Sequence, residues 1–230
     1  MEETKLGKYS IKYINSIEYH SIKREIWTQN SYYFESKKEN PLIIDIGSHI
    51  GISVLYFKSL FPNSKILAFE PNPITFKLLE KNIESNGIDD TQIINKAVWK
   101  EDGIKKFYID GKENSWHSNS SFLESSWTGK EITKEISVQT TRLDEYITED
   151  IDMLKIDTEG SELSILNAHK RFLSKIENIV VEYHPTKNYK VNDLLNILKP
   201  YFELEILHNG KPEKHISSGK LLTIKGKKCV

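Results

Sequence analysis

From Pro41 onward, short apolar runs alternate with segments of helical period, a pattern that predicts βαβ units feeding a parallel sheet. Leu42 to Ile46 is apolar apart from Asp45, as expected of a strand buried on both faces. Gly47 to Gly51 reads as a turn, and Ile52 to Phe61 as an apolar helix stopped by Pro62. Lys65 to Glu70 is the second predicted strand. The helix after it carries clear punctuation: Asn72 as N-cap, Pro73 at the first helical position and Gly87 just past the end. Gln92 to Val98 reads as a third strand. Ile104 to Ile109 and Ile136 to Thr141 form a further pair flanking a long connection, Asp110 to Glu135. Met153 to Asp157 is the fourth core strand, with a helix starting near Ser161, and Asn178 to Tyr183 is the fifth. A helix over Val191 to Leu198 precedes two final strands, Glu203 to His208 and Lys220 to Lys225, around a turn containing Asn209 and Gly210.

These elements predict an α/β fold: a Rossmann-like, doubly wound, mostly parallel seven-stranded sheet with an antiparallel C-terminal strand pair. Residues 41–230 form that domain. Residues 1–40 differ, because Tyr9, Tyr13, Tyr19, Trp27, Tyr32, Tyr33 and Phe34 give them an aromatic density foreign to a disordered tail. They are expected to form a helical extension covering the site.

Composition narrows the function classes. The formal net charge is -1, and Arg24, Arg142 and Arg171 are the only arginines, which argues against a nucleic-acid binder relying on clustered guanidinium groups. Cys229 is the single cysteine, so no intrachain disulfide or cysteine-based zinc cluster forms, and a reducing, cytoplasmic compartment is expected. Met1 to Ser10 lacks the apolar stretch of a secretory signal, and no later run has the length of a membrane span. Nothing in the sequence sets an oligomeric state.

In open α/β sheets ligands bind beyond the carboxyl ends of the strands, so the residues just after each strand carry the chemistry. The first strand runs into Asp45-Ile46-Gly47-Ser48-His49-Ile50-Gly51, whose glycines permit a tight turn and close approach to the backbone. The second ends at Glu70, nineteen positions beyond Gly51, where a carboxylate can accept hydrogen bonds from both hydroxyls of an adenosine ribose. The loop lacks the closely spaced glycines that cradle a pyrophosphate. Carboxylates such as Asp45 and Asp157 suit a cationic sulfonium, so S-adenosylmethionine fits better than NAD. Taken singly, Asp45 could be a turn-organising buried acid and Glu70 a partner for the following helix; their occurrence together in one βαβ unit favours the ligand reading.

Four blocks carry a family resemblance: Asp45 to Gly51, Phe69-Glu70-Pro71-Asn72-Pro73, Lys155-Ile156-Asp157-Thr158-Glu159-Gly160-Ser161-Glu162, and Val181-Glu182-Tyr183-His184. They resemble the FkbM-type family of S-adenosylmethionine-dependent methyltransferases over about residues 41 to 184, and the third block is the most specific. The resemblance implies the class I methyltransferase fold and S-adenosyl-L-methionine as donor, with S-adenosyl-L-homocysteine as product. It places Gly47, Ser48 and Gly51 around the methionine portion, Glu70 at the ribose, Ala97 at the adenine edge and Asp157 near the transferring methyl group, and Asp45, His49, Pro71 and Asn72 are expected among the cofactor-binding residues. The implied acceptor is a hydroxyl oxygen of a small molecule or carbohydrate.

Methyl transfer to a hydroxyl needs alignment and a proton acceptor. The candidates are Asp157, Glu159, Glu182 and His184, with His184 preferred because imidazole titrates near neutrality without tuning. Asp157, Glu159 and Glu182 could also hold a divalent metal through hard oxygen ligands, a reading not favoured because their spacing is not diagnostic. Trp116, His117, Ser120, Ser121 and Trp127 of the long connection are expected to face the acceptor. An RNA ribose methyltransferase and a catalytically silent adenosine-ligand binding module stay open as alternatives.

Overall fold

The structure is a computed structural model that describes residues 1–110, 120–124 and 133–229. Its strands are β1 (Glu2–Leu6), β2 (Tyr9–Tyr13), β3 (Leu42–Ile46), β4 (Lys65–Phe69), β5 (Thr91–Ile94), β6 (Ala97–Val98), β7 (Gly103–Asp110), β8 (Thr133–Thr141), β9 (Ile151–Ile156), β10 (Ile176–Tyr183), β11 (Phe202–His208), β12 (Lys211–Pro212) and β13 (Leu222–Lys228). The α-helices are α1 (Ser16–Lys23), α2 (Ile52–Leu60), α3 (Pro73–Ser85), α4 (Glu162–Ala168) and α5 (Val191–Leu198); a π-helical turn, Arg24–Thr28, continues α1.

The main sheet has the order β12-β11-β13-β10-β9-β3-β4-β5. From β10 to β5 all pairings are parallel, whereas β13 is antiparallel to both β10 and β11. The two-residue β12 extends the expected seven strands at the edge and closes the Asn209-Gly210 turn, so the return to β13 comes later than the Lys220 start predicted from sequence. Alternate residues of the central strands enter cores on opposite faces. Ile44, Ile46, Leu154 and Val181 pack with α4 and α5, while Ile43, Met153 and Val180 pack with α2, α3 and the N-terminal segment. Burial on both faces explains why these strands read as continuous apolar runs.

Two predicted elements differ. Gln92 to Val98 is not one strand, because Lys96 N–H turns back to Ile94 O (2.9 Å) and Asn95 Nδ2 donates to Glu70 O (2.8 Å). The chain thereby leaves the main sheet, and Ala97–Val98 joins β7 and β8 in a separate three-stranded sheet. In residues 1–40, where helices were expected, the first thirteen residues form a β-hairpin in which Tyr9, Ile11 and Tyr13 alternate into the core. Its β2 edge is covered by α3: Asn82 bonds both Lys12 N–H and Lys12 O, and Asn86 does the same at Ser10. Among the described residues no helix is long and apolar enough to cross a membrane.

Candidate functional site

The chain moves from β3 outward to β5 and then crosses back to β9 and β10, so a crevice opens at the carboxyl ends of β3 and β9, the position where open α/β sheets bind ligands. The turn after β3 lies across the end of β4, with Gly47 N–H and Ser48 N–H both donating to Phe69 O (2.9 and 3.0 Å). Gly47 has φ +85°, and a Cβ there would sit 1.8 Å from Asp157 O, so only glycine lets the two strand ends approach this closely.

Glu70 is buried and organises the rim. Its Oε2 accepts from His49 N–H (2.8 Å), and its Oε1 accepts from Asn72 N–H (2.9 Å) and the Thr75 hydroxyl (3.0 Å). Burial raises the Glu70 pKa above the ordinary carboxylate value, against the opposing pull of His49 and these hydrogen bonds. Asn72 caps α3 through Ile74 N–H and donates to Ser120 Oγ (3.0 Å).

Asp45, fully buried, accepts from Ser53 Oγ (2.5 Å) and pairs with Lys155 Nζ at 3.1 Å. Lys155 also donates to Gly47 O (2.6 Å) and lies 3.5 Å from Asp157 Oδ2. Burial alone would discharge this lysine; the charges of Asp45 and Asp157 outweigh it and hold the ammonium above its ordinary pKa. Lys155 therefore fastens the glycine turn to both acids.

At the end of β10, His184 Nδ1 lies 3.0 Å from Glu162 Oε1, and its Nε2 lies 3.5 Å from Glu159 and 3.9 Å from Asp157. Glu162 is fully buried and also accepts from Thr158 N–H, Thr158 Oγ1, Gly160 N–H and the Tyr189 hydroxyl. Burial opposes charge on His184, but Glu159, Glu162 and Glu182 prevail and push its pKa well above the histidine range. The imidazole expected to titrate near neutrality is instead held as imidazolium, so it is not poised to take a proton. Burial, then Asp157 and Glu25, push Glu182 well above the usual carboxylate pKa. Asp157 goes the other way: Lys155 and His184 outweigh its burial and hold it low. The opposed shifts leave the proton on Glu182 and the charge on Asp157. The Tyr32 hydroxyl lies 3.3 Å from Asp157 and 3.4 Å from Glu182.

Two cavities meet here. The first is lined by Gly47, His49, Glu70, Pro71, Ala97 and Asp157, with Phe69, Phe107 and Phe122 supplying apolar wall. The second shares Gly47, His49, Asp157 and Glu159, and adds Glu182, His184, Lys155 and, from the N-terminal segment, Glu25 and Tyr32. Asp45, Gly51 and Asn72 lie outside both linings: Asp45 supports the turn from below, Gly51 (φ +90°) packs on Leu79, and the fully buried Asn72 caps α3. Asp157, Glu182 and His184 offer ligand atoms within 4.8 Å of one another. Of the residues expected to face the acceptor, Trp116, His117 and Trp127 lie outside the described residues. Ser120 lines the first cavity, and Ser121 donates to Glu159 O (2.7 Å).

Sequence reasoning quoted Lys155 and Glu162 within a motif but gave them no role, although a lysine inside a buried strand and a glutamate opening a buried helix are signals of charge pairing. Glu25 and Tyr32 reach the site from far along the chain, with no local pattern to mark them.

Residues 45–210 match the sequence pattern of the Methyltransferase FkbM domain. The chain is 29% identical over 189 residues to Methyltransferase 1 of Beauveria bassiana, covering 74% of this chain and 76% of that protein. It is 27% identical over 184 residues to 2-O-methyltransferase NoeI of Sinorhizobium fredii, covering 73% and 74%. The crystal structure of Methyltransferase FkbM from Methylobacillus flagellatus KT superposes with TM-score 0.57 at 16% identity, over 84% of this chain; the chain spans only 45% of that structure's length, and the likeness speaks for the fold. With the family pattern running from Asp45 through the whole strand-end constellation, the chain belongs to the FkbM methyltransferase family.

Proposed function

We propose that the protein transfers the methyl group of S-adenosyl-L-methionine to a hydroxyl oxygen of a small molecule or sugar, releasing S-adenosyl-L-homocysteine. The observation that carries this reading is the pair of cavities joined at Asp157, one walled by Glu70 and apolar rings, the other by carboxylates. The first fits an adenosine: Glu70 retains acceptor capacity for ribose hydroxyls, and Ala97, Phe107 and Phe122 offer an apolar slot for a base. His49 adds a test of fit: neither buried ring nitrogen makes a hydrogen bond among the described residues, and with Nε2 3.7 Å from Glu18 Oε1, Nδ1 is the group a ligand would complete. A relative named as a 2-O-methyltransferase supports oxygen as the acceptor atom.

The donor supplies a methyl group on an already cationic sulfur, so the protein contributes alignment and proton removal. In the transfer an O–CH₃ bond forms, the C–S bond breaks, and the hydroxyl proton passes to the protein. With His184 charged and Glu182 holding its proton, the ionised Asp157 is the proton acceptor in this reading, and Glu182, His184 and Tyr32 orient it. Residues 1–40 act as the cover of the second cavity through Glu25 and Tyr32.

Incubation with methyl-labelled donor and a panel of hydroxylated small molecules, read by mass spectrometry, tests the proposal. Label on oxygen with equimolar S-adenosyl-L-homocysteine is the expected result. Asp157→Asn should lower turnover by about 10²-fold or more; an unchanged rate removes the proton-acceptor assignment.

A further inference from the structure

A third cavity opens off the second and leads outward between the N-terminal segment and the β11–β12 turn. It shares Ser21, Glu25, Glu182 and Leu221 with the second cavity and adds Arg24, Gln29, Asn209, Gly210 and Thr223. The π-helical turn after α1 brings Arg24 and Glu25 here, and Gln29 ends it; such turns are rare and concentrate at functional sites. On the other side Gly210 (φ +73°) lies so close to Gln29 that a Cβ would come within 2.8 Å of that side chain. Of the nine lining residues, six lie outside the family pattern of residues 45–210, so this wall is particular to the chain rather than part of the shared domain.

The chemistry of this wall is mostly that of neutral hydrogen bonding. Thr223 of β13 is 7% exposed, and its hydroxyl makes no hydrogen bond among the described residues. Its neighbours Leu222 and Ile224 enter the core on the opposite face, and its register partner is Glu182, so the hydroxyl points into the cavity beside that carboxyl. The Gln29 amide and the Arg24 guanidinium likewise have no hydrogen-bond or ion-pair partner among the described residues. With Glu182 holding its proton, the groups here that carry charge are Arg24 and Glu25, of opposite sign, so neither sign of ligand is favoured. Leu221 is the single apolar side chain of the lining. An apolar group placed here would strip water from the polar atoms without replacing its hydrogen bonds, whereas a hydroxylated ring offers a donor and an acceptor at every hydroxyl.

Asp157 lines the second cavity and not the third, so a ligand that reaches both is longer than the unit being methylated. Resting on the methyl-transfer reading above, we propose that the acceptor is a carbohydrate of at least two units: the unit that receives the methyl group sits against Asp157, and the next lies in the outer cavity, held by Thr223 and Gln29. Ser21 and Arg24 are exposed at its rim, so a longer chain continues into solvent.

The test compares monosaccharides with their own disaccharides on the whole chain: glucose with cellobiose, galactose with lactose, mannose with mannobiose and N-acetylglucosamine with chitobiose, and menthol as an apolar hydroxyl compound. Saturation-transfer NMR on protein loaded with S-adenosyl-L-homocysteine reads dissociation constants, and methyl-labelled donor reads transfer. At least one disaccharide is expected to bind about tenfold or more tighter than its monosaccharide, the worth of a few neutral hydrogen bonds. Thr223→Val and Gln29→Ala, each shown to be folded by its S-adenosyl-L-homocysteine affinity, are expected to lower that ratio about fivefold or more. Disaccharides no tighter than their monosaccharides, no binding of any sugar, menthol tighter than every sugar, or a ratio unchanged in both variants overturns the proposal. If the disaccharide preference and its loss in Thr223→Val are found but no methyl moves to any hydroxyl compound, the methyl-transfer reading fails while the subsite stands. If methyl moves equally well to monosaccharides and disaccharides, that reading stands and the subsite falls.

Discussion

Replacing Lys155 by methionine isolates the interaction that ties the glycine turn to the acids beneath it. Lys155 is 2% exposed and Asp45 is 0% exposed, at an Nζ–Oδ1 distance of 3.1 Å, with Asp157 3.5 Å away. Methionine fills similar volume but leaves Asp45 ionised in an apolar surround, and stranding one member of a buried pair costs about 3–5 kcal/mol. In a domain of this size that corresponds to a fall in Tm of about 6–20 °C. Circular dichroism melts at neutral pH measure it. The double variant Lys155→Met with Asp45→Asn removes both charges and keeps an acceptor for Ser53, so it should recover a large part of the loss. A Tm loss corresponding to under about 1 kcal/mol, the range of exposed pairs, would refute the reasoning. So would a double variant whose losses simply add.

Other consequences follow from the same geometry. Gly47→Ala places a Cβ 1.8 Å from Asp157 O at φ +85°, and the variant should lose S-adenosyl-L-homocysteine binding and much of its soluble yield; calorimetry on whatever protein is recovered checks this, and wild-type affinity counts against the close approach. Glu162→Gln removes the charge that holds His184 protonated, so the imidazole pKa read by NMR should fall relative to wild type; an unchanged titration would shift that role to Glu159. Glu25 has a native pKa of about 7, above its unfolded value. Such an acid favours the native state below its unfolded pKa and loses that contribution as pH rises through about 7. Glu25→Gln should therefore gain in Tm relative to wild type at about pH 8 and lose that gain at about pH 4; a pH-independent difference would show that Glu25 titrates normally.

What the sequence revealed follows where local chemistry and global placement coincide. Leu42–Ile46 and Ile151–Ile156 are buried on both faces, so their apolar runs are unambiguous, and Asn72, Pro73 and Gly87 mark a helix whose ends are fixed by their own hydrogen bonds. Val191–Leu198 was legible for a similar reason, its apolar positions falling on one face. The break at Asn95–Lys96 was hidden, because it depends on Asn95 reaching Glu70 O twenty-five residues back. The N-terminal hairpin carried a visible alternation at Tyr9, Ile11 and Tyr13, but its stability comes from Asn82 and Asn86 of α3, which no local window contains. In the site, strand-end acids could be found from spacing alone. The protonation of His184 could not, since it is set by Glu162 across the fold. Glu25 and Tyr32 join the second cavity only through packing of the N-terminal segment on α2 and β10.

The account depends on Gly47, Glu70 and Asp157 converging on one nucleoside, and isothermal titration with S-adenosyl-L-homocysteine tests that convergence directly. The wild-type protein should bind it, and Glu70→Gln, once shown by circular dichroism to be folded, should bind about 10–100-fold more weakly, the worth of hydrogen bonds to a charged acceptor. Equal affinity in the folded variant, or no binding by the wild-type protein, would contradict the assignment of this crevice to the donor.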